Sequence, residues 1–280
     1  MPALQPLIIS APFGNYVQPE RATPTMGTFT ALRRPGRLWR ILRTVRYSPS
    51  LGAWVNKIGL RNPGIDWLVQ RAASGRLRVG DKLVSIHGFD EADWAVLLEK
   101  AAGITPLGIE LNMSCPNVGH VNWPPWLFER AAAAARTGGF QIVVKLPPVN
   151  YATMFRQALD AGLRTFHACN TIPVPAGGVS GKPLKPVSLQ CIADLRATAT
   201  SLGIRDLVLI GGGGITTTAD IDDYVSAGAS HVALGTKCFN PLVLISNSPL
   251  RPLIDHAHSR LGERGSTPDR SAEAARVATS

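Results

Sequence analysis

Eight short apolar, β-branched runs recur along the chain at a spacing of roughly 25 residues, and most lead through a polar or glycine-rich turn into a helical pattern. The runs cover residues 7–10, 28–31, 83–86, 107–111, 141–146, 165–169, 207–210 and 232–234. Helical spacing is read over residues 65–73, 91–102, 125–136, 151–161, 187–202, 217–227 and 241–256. Continuous apolar strands bounded by helices imply a parallel sheet covered on its outer face. Eight such units in 280 residues imply an α/β protein built as a (β/α)₈ TIM barrel. The expected unit is one domain over residues 1–258. Residues 259–280 are rich in Arg, Ala, Ser and Glu and are expected to be a frayed or disordered tail.

Two irregularities interrupt the beat. Only residues 11–26, with Pro12, Pro19 and Pro24, separate the first two strands, so the first helix is expected to be clipped or missing. Residues 32–64 follow the second strand and are rich in Arg, Pro, Gly and Trp. They are expected to form β-hairpins over one mouth of the barrel.

Composition narrows the function class. Apolar residues make up 45% of the chain, enough for a large core without disulfides. The four cysteines, Cys115, Cys169, Cys191 and Cys238, are widely spaced, which points to a reduced, cytoplasmic protein with no bound metal. No apolar run approaches the roughly 18 residues of a membrane span. The net charge of +10 points to nucleic acid, a membrane surface or anionic ligands. Its densest block is residues 33–46, where arginines interleave with Trp39, Ile41 and Leu42; the block reads as a solvated basic hairpin, a phosphate or subunit contact, or a guide for anionic substrates.

In such a barrel, chemistry gathers at the C-terminal ends of the strands. That rim carries Asn15, His87, Asn112, Cys115, Asn117, Lys145, Asn170 and Thr171, with Asn62 on the inserted segment. Several amides and one lysine, with few carboxylates, suit a neutral hydrogen-bonding ring beside one positive charge. Cys115 lies between Asn112 and Asn117, where its thiolate could act as base or nucleophile. Gly213 and Gly214 follow the seventh strand, and Gly235 and Thr236 follow the eighth. Backbone N–H groups there form the usual phosphate site of this barrel class. Gly181 belongs to a third glycine-rich loop able to cover the same ligand. One phosphate, with Lys145 beside a ring, implies flavin mononucleotide (FMN).

The ordered set of these pieces resembles the dihydroorotate dehydrogenase family from about residue 27 to residue 242. The matching stretches are residues 27–30, 34–36, 56–64, 112–117, 144–148, 170–171, 177–184, 211–215 and 227–236. The resemblance implies FMN across the barrel mouth, held by Lys145, Gly181, Gly213, Gly214, Gly235 and Thr236. It implies that Asn62, Asn112, Asn117, Asn170 and Thr171 hold a pyrimidine, and that Cys115 is the general base of the soluble, cysteine-using branch. Residues 118–123 become a lid, and a homodimer is implied. The activity implied is oxidation of dihydroorotate to orotate in pyrimidine biosynthesis. One expected feature is absent: a second flavin-site lysine, for which the sequence has Gly14-Asn15-Tyr16 and Met26-Gly27-Thr28. That departure leaves room for a related or degenerate FMN oxidoreductase acting on another cyclic amide. A reductase of RNA dihydrouridine type is a further alternative, but no RNA-binding helical domain is read here and nucleic acid is not the expected partner.

Overall fold

A computed structural model of the chain describes residues 3–113 and 123–262. Cys115, Asn117 and all of the expected lid except Trp123 lie outside those residues. In chain order the first six strands are β1 (Leu7–Ile9), β2 (Thr23–Phe29), β3 (Arg46–Ser48), β4 (Ala53–Asn56), β5 (Leu83–Ile86) and β6 (Gly108–Asn112). Then come β7 (Gln141–Lys145), β8 (Thr165–Ala168), β9 (Ile172–Val174), β10 (Gly177–Gly181), β11 (Val208–Gly212) and β12 (His231–Leu234). Eight of them close a barrel in the order β1-β12-β11-β8-β7-β6-β5-β2. Every pairing within it is parallel.

The strand period of two sorts the barrel into lumen and shell. Ile8, Leu83, Val143, Ile210 and Ala233 form an apolar cluster with Leu4 and Leu107. Two residues further along the same strands come Ser10, Ser85, Lys145, Gly212 and Gly235. The lumen therefore changes from apolar packing to polar and glycine positions toward its C-terminal mouth. The alternate residues, such as Leu7, Val84, Ile109, Val144, Phe166 and Leu209, join the larger core outside the barrel.

The helices are α1 (Arg37–Thr44), α2 (Ile65–Ala73), α3 (Glu91–Gly103), α4 (Leu127–Gly138), α5 (Ala152–Asp160), α6 (Leu184–Ser201), α7 (Thr218–Ala227), α8 (Leu242–Ile245) and α9 (Arg251–Leu261). Their ends carry local signals. Asp90 caps α3 through the Asp93 N–H, and Thr217 with Asp220 closes a capping box on α7. Only the 3₁₀ turn Phe13–Asn15 stands between β1 and β2.

The structure differs from the sequence expectation in several places. The second strand, expected over 28–31, runs from Thr23 to Phe29. The basic segment holds a helix, α1, ahead of the β3–β4 hairpin; Arg37, Arg40 and Arg43 recur every third residue, which is helical spacing. The single helix expected over 241–256 is divided into α8, a 3₁₀ turn at Ser248–Leu250 and α9, with Pro249 and Pro252 at the break. α9 also continues past residue 258, to Leu261.

The insertion positions the mouth. β3 and β4 pair antiparallel, and β4 pairs with β10, which pairs with β9. The resulting four-stranded sheet thus joins the segment after β2 to the segment after β8. Trp54 on β4 stacks on Phe239 at 5.0 Å, and Phe13 meets Phe239 edge-on at 4.9 Å. These rings tie the sheet to the turns after β1 and β12.

Candidate active site

A cavity of about 350 Å³ opens at the C-terminal mouth, within the range of small-ligand sites. Ser10, Lys145, Asn170, Thr171, Gly212, Gly213, Gly214, Gly235 and Thr236 line it, with Asn56 and Ser180 contributed by the added sheet. A second compartment of about 140 Å³ is lined by Gly27, Thr28, Asn56, Gly59, Leu60 and Asn112. Lys145, Asn170, Thr171, Arg37 and Asn56 line both.

The glycine end of the large cavity offers unspent donors. Among the described residues, the backbone N–H groups of Gly214, Gly235 and Thr236 donate to no other group of the chain. By contrast, the Thr216 and Thr217 N–H groups are already taken by Asp220. The available cradle is therefore the two turns, not the start of α7. Gly214 needs its residue type, with φ +70° and a notional Cβ 2.9 Å from Lys185 Cβ.

Lys145 ends β7, is 7% exposed, and stands 4.0 Å from Glu110 Oε1. It does not escape to solvent; the lumen keeps its charge. Glu110, on the same face of β6 as Asn112, accepts from His167 Nδ1 at 2.8 Å. Burial pushes the Glu110 carboxyl up, but the Lys145 charge and the His167 bond hold it down at about 2. Burial and the nearby Lys145 both lower the His167 pKa. The result is an ionised carboxylate that anchors the lysine under the mouth.

The amides form a connected row. Thr28 Oγ1 lies 2.9 Å from Ser85 Oγ, Asn112 Nδ2 donates to Thr28 Oγ1 at 2.9 Å, and Asn170 Nδ2 donates to Asn112 Oδ1 at 2.7 Å. The Thr171 N–H donates to Asn170 Oδ1 at 3.0 Å. His87 Nδ1 donates to the Asn112 carbonyl at 2.7 Å, fixing the strand end from behind. Burial lowers the His87 pKa, so the ring is neutral.

The structure brings together Asn112, Lys145, Asn170, Thr171, Gly213, Gly214, Gly235 and Thr236 on one connected surface. It does not place Asn62 there. The Asn62 amide is spent on its own loop: Oδ1 accepts from the N–H groups of Thr30 and Gly64, and Nδ2 donates to Thr30 Oγ1 and the Leu60 carbonyl. Asn15 is likewise a clamp, on Gly27 and Pro12. Gly181 supports the cradle from behind, its carbonyl 3.0 Å from the notional Gly214 Cβ. Cys169 lines the cavity, but burial pushes its thiol up to about 12, which removes it as a nucleophile.

Sequence reasoning passes over Glu110, His167, Thr28 and Tyr16, and takes Arg37 only as part of the basic block. Glu110 can be found by counting two back from Asn112. Tyr16 has no such signal, because the turn after β1 reaches the mouth through tertiary folding.

The mouth of this closed parallel barrel brings together two late glycine turns, a buried lysine and a row of amides, groups whose chemistry suits a phosphate and a polar ring. Comparison with known proteins gives the family. A family model described as dihydroorotate dehydrogenase matches residues 149–247. The chain is 30% identical over 230 residues to the catalytic subunit of dihydroorotate dehydrogenase B (NAD(+)) of Alkaliphilus metalliredigens, covering 74% of each chain. It is 30% identical over 251 residues to the same-named subunit of Pelobacter propionicus, covering 81% of this chain and 79% of the relative. A crystal structure of ligand-free DHODH from Eimeria tenella matches with a TM-score of 0.67 at 20% identity, over 93% of this chain and 85% of that one, a likeness of fold. The chain belongs to the dihydroorotate dehydrogenase family. FMN binding is typical of this family, and the family's FMN oxidoreductases act on a cyclic amide. The unspent N–H groups and the buried lysine fit such a cofactor. Among the described residues no helix is long and apolar enough to cross a membrane.

Proposed function

We propose that the chain binds FMN and oxidises dihydroorotate to orotate. The observation that carries this reading is the Asn112–Asn170 pair standing over Lys145, between the glycine cradle and the small compartment. Gly213, Gly214, Gly235 and Thr236 would receive the phosphate, and Lys145 would sit beside the flavin ring. FMN, when bound, supplies the acceptor for the hydride that leaves C6 of the substrate. Asn112 and Asn170 hold the ring amides, Thr171 assists, and Asn117, outside the described residues, is the further amide of this proposal. Asn62 acts at one remove, by shaping the loop of Leu60 and Gly64.

Cys115 takes the proton from C5 in this proposal, as in the cysteine-using branch of the family. A thiol of ordinary pKa, about 8.5, must be positioned and desolvated to do so at neutral pH. Anaerobic mixing with dihydroorotate should bleach the flavin, and Cys115→Ala should stop the bleaching while FMN stays bound. Unchanged bleaching would remove Cys115 as the base.

A second reading is favoured by a missing lysine. The resemblance implies a second lysine at residues 14–16 or 26–28, and the sequence has none at either, which suits a related enzyme acting on a different cyclic amide. A flavin spectrum unmoved by orotate would select it.

A further inference from the structure

The small compartment is lined by three cationic residues, Arg37, Arg61 and Lys145. Among the described lining residues, neither compartment carries a carboxylate. A site with that balance selects an anion. The three cations are not equivalent. Lys145 shares its charge with buried Glu110, and Arg61 donates to the Pro35 carbonyl at 3.4 Å. Arg37 makes no ion pair among the described residues, and its guanidinium carbon lies 5.2 Å from the centre of the Tyr16 ring. It is the first residue of α1, and it lines both compartments.

The barrel wall cannot supply this cation from the neighbouring position. Gly27 borders the small compartment with φ +104°, and a Cβ there would lie 2.4 Å from the Ser85 carbonyl oxygen and 2.9 Å from Phe29. No side chain fits at that point of β2. A positive group beyond Lys145 has to arrive from outside the barrel, and α1 brings one. Tyr16 holds it over the mouth by stacking, which restricts the guanidinium without consuming its hydrogen bonds.

We propose that Arg37 is the specificity-determining residue that pairs with the acidic group of the substrate. A carboxylate on the cyclic amide would meet the guanidinium fork while Asn112 and Asn170 take the ring amides. This rests on the reading above that the substrate is a cyclic amide carrying a carboxylate. The insertion after β2 then has a role in substrate choice, because α1 selects acidic rings over neutral ones.

The test uses the FMN-loaded protein and titrates orotate and orotamide, the same ring with its carboxylate made neutral, by flavin absorbance. Wild type should prefer orotate by roughly 10- to 100-fold, the usual worth of hydrogen bonds to a charged group. Arg37→Gln should bring orotate down to the level of orotamide, with FMN content and melting temperature unchanged. Arg37→Lys should recover part of the preference, which separates lost charge from lost fold. Should Arg37→Gln keep the wild-type preference, or weaken both ligands alike, Arg37 is not the recogniser, and the dihydroorotate reading stands without it. A wild-type protein that binds no orotate overturns that reading, and this proposal with it.

Discussion

Asn170 Nδ2 donates to Asn112 Oδ1 at 2.7 Å, joining the ends of β8 and β6 across the strand that ends in Lys145. Each amide is held from behind, Asn112 by Thr28 and Asn170 by the Thr171 N–H, so neither is free to rotate. Removing Asn112 leaves Thr28 Oγ1 and Asn170 Nδ2 without that partner. Asn112→Ala should therefore weaken orotate by about 1–3 kcal/mol while FMN retention changes little. Isothermal titration with each ligand checks it; equal losses would mean the row serves the cofactor as much as the substrate.

Lys145 and Glu110 should behave as one unit. Each is buried, and each neutralises the other within the lumen. Glu110→Gln or Lys145→Met alone should destabilise the protein by roughly 3–5 kcal/mol, because the surviving charge loses its partner. The double variant should cost clearly less than the sum. Urea unfolding of the four proteins measures this. Additive losses would show that the 4.0 Å separation carries no coupling.

Much of this site is legible in the sequence because a parallel barrel brings every strand end to one rim. Asn112, Lys145, Asn170 and the Gly213–Gly214 and Gly235–Thr236 turns sit where that rule puts them. Glu110 lies two residues before Asn112 and shares its face, so the same period exposes it once lumen and shell are separated. The role of Asn62 is different. Its partners, Thr30 and Leu60, come together only when the insertion folds back, so residue type alone does not reveal a loop clamp. Arg37 is less legible still, since the basic block suits solvent, a phosphate or subunit contact, or anionic substrates equally until α1 is seen over the mouth.

Histidine burial sets the acid limit. His231 begins β12 at the closed end of the lumen, and burial lowers its pKa to about 4. The folded protein holds the ring neutral, while the unfolded chain protonates near 6.5. The stability from this neutral ring is fully present above pH 6.5 and is lost as pH falls toward 4. Its full size is about 3 kcal/mol. His87 and His167 act in the same direction. Unfolding free energy measured from about pH 7.5 to 4 should fall steeply in wild type and less steeply in His231→Gln. Parallel curves would show that His231 is not held neutral.

Placing a lysine at Gly27, within one of the two stretches where the resemblance implies one, should fail. Gly27→Lys places a side chain where a Cβ has 2.4 Å to the Ser85 carbonyl oxygen, at a φ of +104°. The backbone strain alone costs on the order of 1–3 kcal/mol, before the clash is counted. The added ammonium would also compete with Arg37 for the same anion, in a compartment of only about 140 Å³. Gly27→Ala should show the strain without the charge, so both variants should melt below wild type. Orotate affinity should not rise in either. A Gly27→Lys protein that melts at the wild-type temperature and binds orotate more tightly would show that β2 can be reshaped at this point, and that the cation can be supplied from the barrel wall.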